Sequence, residues 1–165
     1  MLIFLLMVWS GPCRATKLHR DPVEGIPAPV LHQCIVDAAE HDGIISVLRD
    51  GDIGKCKGYG DRCVSKLVRN PLHLHSGIDY LCYVSEYSAW AIVRAQFMFE
   101  ELAQFPSRSP EIVKAYMDLE TQSLEACTPR PNNDGPPFGD IVNCVAGRYG
   151  PWLAQRFRKQ RYPWL

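Results

Sequence analysis

Residues 77–105 constrain the fold of this chain more than any other stretch. Leu81, Val84, Ser88, Ala91, Ala95, Met98, Leu102 and Phe105 recur at three- and four-residue spacing, the period of an α-helix. Tyr83, Tyr87, Trp90 and Phe97 run beside that stripe. A helix apolar over so much of its circumference needs other helices around it, so it belongs at the centre of a bundle. The aromatic stripe reads as core, not as a cofactor site. Pro106 ends the helix, because a proline drives the residue before it out of the helical region.

Three further helices follow from the same period. From Pro29 to about Arg49, Leu31, Cys34, Ile35, Ala38, Ile45 and Leu48 share one side. After a link of Pro106 to Ser109, a helix runs to about Cys127, with Ser109 as its N-cap, Pro110 in the first turn and Glu111 against the helix dipole. A last helix spans about Gly139 to Tyr162, and Gly150-Pro151 is expected to kink or split it. Residues 50–76 read as a long glycine-containing connection, and Pro129 to Pro137 as a stiff extended strap. No stretch alternates as a strand would. The long, short, long order of connections predicts an all-α, up-up-down-down four-helix bundle with two long crossover loops. In it, the first two long helices run parallel and the last two run parallel.

Met1 to Trp9 is apolar and too short to span a bilayer, and Ser10, Gly11 and Pro12 break it. Residues 1–15 read as a secretory signal peptide cleaved after Ala15, 16–29 as a flexible lead-in, and 30–165 as the domain. Cys13 leaves with the signal, and Cys34, Cys56, Cys63, Cys82, Cys127 and Cys144 remain, an even number in a secreted context. Six cysteines allow fifteen pairings. Cys56 and Cys63 would close a small loop. Cys34 and Cys82 sit near the starts of two parallel helices, so the expected bridges are Cys56–Cys63 and Cys34–Cys82. Cys127 and Cys144 fall towards opposite ends of such a bundle, and their pairing stays open.

The chain lacks the marks of several function classes. Its net charge is zero, which disfavours a protein that wraps nucleic acid. There is no Cys-x2-Cys, and His73-x-His75 has no matching partner, so no metal or other cofactor is expected. No Gly-x-Ser-x-Gly or His-Glu-x-x-His occurs, and the glycines of 51–60 make no phosphate loop. Glu40, Glu86 and Glu100 are the carboxylates a lysozyme-like hydrolase would need, but none lies in a recognisable motif, and no enzyme is expected. Arg148, Arg156, Arg158, Lys159 and Arg161 crowd the last 18 residues, which hold no acid. That surface suits carboxylates of a protein partner, and offers weak attraction to glycosaminoglycans.

Together, the leader, the helices with long outer loops and the segment Cys56-Lys-Gly-Tyr-Gly-Asp-Arg-Cys63 resemble the long-chain helical cytokines of the interleukin-6 and granulocyte colony-stimulating factor group. Cys82 with the helix ending Phe99 to Phe105 resembles their second helix, and Ser109 to Ala126 their third. The family's second disulfide has no counterpart, since no cysteine lies between Cys63 and Cys82. The resemblance implies a secreted ligand that clusters cell-surface cytokine receptors. Arg158 and Arg161, with Arg156 beside them, match the basic end of the fourth helix, and Phe138 its start. The other reading of the same features is a secreted or periplasmic disulfide-bonded helical binding or inhibitor protein of the immunity type.

Overall fold

The structure, a computed structural model, describes residues 27–41, 54–68, 78–128 and 137–162. These residues carry helices α1 (Ala28–His41), α2 (Tyr59–Val68), α3 (Ile78–Gln104), α4 (Ser109–Cys127) and α5 (Phe138–Arg161). A 3-10 turn, Pro106–Arg108, links α3 to α4. No strand occurs among the described residues, and the fold is all-α as expected. The signal segment, most of the lead-in, residues 42–49 of the expected first helix and the strap at 129–136 lie outside the described residues.

As expected, α3 is the hub, touching α1, α2, α4 and α5. Its buried side is the aromatic one. Trp90, Val93 and Phe97 are fully enclosed, whereas the Leu81–Ser88–Ala95 part of the expected stripe turns outward. Only its Met98, Leu102 and Phe105 part packs on the core. Around α3 sit Leu31 and Ile35 of α1, Ile112 and Tyr116 of α4, and Val145, Tyr149 and Leu153 of α5.

Helix directions correct the expected up-up-down-down order. The Arg94 guanidinium of α3 donates to the Tyr116 carbonyl at 3.2 Å and pairs with Glu120 at 2.9 Å, as two helices reversing at Pro106 require. The α5 helix runs parallel to α3: Tyr80 meets Phe138 near their starts, and Glu101 meets Arg156 near their ends. Accordingly α4 and α5 are antiparallel, with Cys127 bonded to Cys144 and Tyr116 edge-on to Trp152. The expected parallel arrangement of the last two long helices is therefore absent. A proline-rich link sets the longest distance its ends may lie apart, not the shortest. The Cys127–Cys144 bridge holds those ends at the same end of the bundle.

The disulfides also differ from expectation. Cys34 pairs with Cys56 and Cys63 with Cys82, so the bridges join neighbours in chain order. The cause is α2, which occupies part of the expected connection of 50–76. Cys63 rides on α2, which lies along α3, while Cys56 precedes α2 and is enclosed in the core. A signal for α2 was present: Asp61 in its first turn and Lys66 in its last both oppose the helix dipole favourably.

Glu86, 1% exposed, fixes the start of α2 from α3. Its two carboxylate oxygens accept from the backbone N–H groups of Gly58 at 2.9 Å and Gly60 at 2.6 Å. These are donors that a helix start leaves without an internal partner. Gly58 has φ +75°, a conformation that L side chains rarely adopt. Two local expectations shift slightly. Ser109 lies inside α4 and donates its hydroxyl to the Pro106 carbonyl at 2.6 Å, so it does not cap. Pro151 does not split α5, which runs unbroken from Phe138 to Arg161. The residue whose carbonyl its ring crowds is Gly147, which brings no side chain to the contact.

The ring of Tyr83 is held between Gly60 and Gly139. A methyl group on Gly139 would fall 2.5 Å from Tyr83 Cζ and 2.8 Å from both adjacent ring carbons. Alanine would gain up to about 1 kcal/mol of helix propensity there. Overpacking costs about 1–3 kcal/mol and outweighs it. Gly139→Ala is expected to lower the Tm by several degrees, and the same change in a Tyr83→Ala background to raise it.

Candidate functional site

The four residues expected to meet receptors do not form one surface. Phe138 opens α5 and packs on Tyr80, with ring centroids 5.0 Å apart. Arg158 lies twenty residues further along the same helix, about 30 Å away. At that far end Arg158 Nε donates to the Ala39 carbonyl at 2.6 Å, and Arg161 lies 3.6 Å from Glu40. Arg156 is committed inward, to Glu101, through two bonds of 2.7 and 2.8 Å. A cleft between α4 and α5 collects Asp118, Gln122, Arg148, Trp152 and Arg156. Its Asp118 pairs with Lys114 at 2.6 Å.

The other end of the bundle holds a polar cluster. Tyr83 donates its hydroxyl to Asp61 at 2.8 Å, and Asn143 Nδ2 donates to the second Asp61 oxygen at 3.1 Å. Burial, the hydrogen bond to Asp61 and that carboxylate's charge push the Tyr83 phenol up to about 12. Burial also takes Tyr149 to about 12, and raises Tyr116 beside Glu101. An unfolded tyrosine ionises near pH 10. Between pH 10 and 12 the unfolded state therefore binds fewer protons than the folded one, and stability falls as pH rises. Below pH 10 this contribution is fully present. The urea midpoint is expected to drop between about pH 10 and 12, and Tyr83→Phe to reduce the drop.

The most unusual surface includes Leu81, Ser88 and Ala95, which the spacing alone places in the core stripe. Along the outer side of α3, Leu81 is 52%, Ile92 51% and Phe99 65% exposed. Ser85, Ser88 and Ala95 lie between them at helical spacing, so the face carries no charge. The described charges of α3 are used elsewhere. Glu86 caps α2, Arg94 pairs with Glu120, Glu100 lies 3.2 Å from His32, and Glu101 holds Arg156. Val113 and Met117 of α4 are exposed as well. The Arg94–Glu120 pairing of these antiparallel helices puts Val113 near the level of Phe99, and Met117 near that of Ala95. A soluble surface helix normally has the opposite arrangement, with charges outward. A signal was available: every charged residue of α3 falls off the Leu81–Ile92–Phe99 line.

Among the described residues, no group of three or more His, Cys, Asp or Glu side chains comes together to hold a metal. No described helix is long and apolar enough to cross a membrane. Three disulfides place the chain in an oxidising compartment, outside the reducing cytosol. No family model, curated protein or solved structure matches the chain.

Proposed function

We propose that this is an exported, disulfide-stapled helical protein that works by binding other proteins through the outer face of α3 and the adjoining flank of α4. This is the binding or inhibitor class of the sequence reading. The observation that carries it is the uncharged, exposed line of Leu81, Ile92 and Phe99 on a helix whose described charged groups all have internal partners. Large apolar side chains aligned on an exposed, uncharged helix face are a mark of interaction sites. Immobilised protein is expected to retain a partner from the extracellular fluid of its source, and the purified partner to rebind. Phe99→Glu should weaken rebinding by at least about tenfold, as for a residue central to an interface. Unchanged affinity with Phe99→Glu would overturn the assignment of this face.

The receptor-clustering reading of the cytokine resemblance is second. What supports it is the basic last turn of α5, with Arg158, Lys159 and Arg161. It predicts receptor-linked tyrosine phosphorylation in mammalian cells, lost in Lys159→Ala/Arg161→Ala with helicity unchanged. The antiparallel arrangement of α4 and α5 weighs against it, because that family's receptor sites rest on the crossover topology.

A further inference from the structure

We infer that α3 is the seam of a twofold homodimer, in which two copies of the helix pack antiparallel through Leu81, Ser85, Ser88, Ile92, Ala95 and Phe99. This rests on reading that face as a protein-binding surface, and it names the partner as a second copy of the chain. Spacing is the first support. The six residues are separated by 4, 3, 4, 3 and 4 positions, the a/d repeat of a coiled-coil seam. They extend over about 27 Å of helix.

Self-complementarity is the second support. A twofold contact sets residue i against j and j against i. With the axis beside Trp90, Leu81 meets Phe99 of the second copy, Ser85 meets Ala95, and Ser88 meets Ile92. Large side chains close both ends of the seam. Small ones let the backbones approach between them, and each Ile92 fills the space over a serine. The equal sums follow from the spacing itself; what the sequence adds is which side chains meet, large with large at the two ends and small ones between, apart from Ile92 over Ser88.

Charge is the third support. Identical copies set like charges near one another unless the face is neutral, and this face is neutral while α3 as a whole is not. The chain also has zero net charge, so nothing repels the second copy at long range. A strongly charged partner would find no counter-charge here.

Sedimentation velocity of the disulfide-intact protein, from about 1 to 100 μM, tests this against the affinity range of modest interfaces. A concentration-dependent dimer is expected. Ile92→Glu should weaken it by at least about 30-fold, as for a charge buried at a contact centre. Its circular dichroism should match the wild type, since residue 92 is exposed in the single copy. Ser88→Lys should also dissociate the dimer. Mixing the Ser88→Lys and Ile92→Glu proteins should restore a heterodimer, because 88 faces 92 only in the antiparallel register. A wild type that stays monomeric to 100 μM overturns the inference, whether residues ahead of Pro27 or a different protein then cover the face. Loss of partner rebinding by Phe99→Glu in such a monomer would leave the protein-binding reading standing. A dimer indifferent to Ile92→Glu, or a mixture that stays monomeric, also overturns the inference.

Discussion

Reduction of the three disulfides is expected to abolish the cooperative thermal transition of this protein. The bridges close segments of 22, 19 and 17 residues. On the chain-entropy account, each loop of this size limits the unfolded ensemble by about 3 kcal/mol. The three segments follow one another without overlap, so the restraint from one is not already supplied by another. Together they contribute roughly 10 kcal/mol. Whole domains are stable by only about 5–15 kcal/mol. Ellipticity at 222 nm, followed on heating with and without a phosphine reductant, checks this. The oxidised protein should melt sharply, and the reduced one should lose its helices gradually from low temperature. A reduced chain that melts cooperatively within about 10 °C of the oxidised one would show that packing alone carries the fold. Non-reducing peptide maps should yield three linked pairs: Cys34 with Cys56, Cys63 with Cys82, and Cys127 with Cys144.

The cysteine pairing depends on helix direction, which apolar spacing does not specify. The helical character of 77–105 and 109–127 was plain, because apolar spacing over many turns has one good solution. Direction is different. A loop of given length permits both reversal and crossing, and only a contact between its flanks decides. Tyr116 edge-on to Trp152 and the Cys127–Cys144 bridge decide it here, and neither is visible in spacing. The short α2 was hidden by the glycines around it, Gly54, Gly58 and Gly60, which read as loop. Gly58 and Gly60 are instead the residues whose N–H groups approach Glu86 at the helix start.

The exposed face was hidden for a related reason. In a helix apolar on most sides, periodicity does not say which stripe meets the core. The charges do. Glu86, Arg94 and Glu101 surround the buried side of α3 because each has a partner on another element. The uncharged line opposite them is what remains for a contact outside the single chain. The basic cluster shows the reverse error. Sequence proximity puts Arg156 with Arg158 and Arg161, yet its guanidinium is committed to the interior.

Arg156→Ala is expected to cost about 3–5 kcal/mol, the usual penalty for breaking a buried pair from one side. Glu101 is 5% exposed and Arg156 24%, so the carboxylate left behind would stay enclosed without its cation. The loss exceeds charge alone, because the Arg156 guanidinium also lies 5.3 Å from the Trp152 ring centre and 5.7 Å from that of Tyr116. Lysine cannot restore the bond, since its single ammonium cannot match both carboxylate oxygens in one plane. Replacing both partners with apolar residues of similar length, Glu101→Leu with Arg156→Met, should cost less than Arg156→Ala. The double variant removes the stranded charge and keeps side-chain packing over the two aromatic rings. Urea unfolding of the wild type, Arg156→Ala, Arg156→Lys and the double variant checks this: a double variant less stable than Arg156→Ala would show that the stranded Glu101 charge is not what costs stability. The same series guards the functional assignment. Any loss of partner binding in Arg156→Ala that the double variant repairs is a loss of fold, whereas loss caused by Phe99→Glu, on the open face of α3, has no such route.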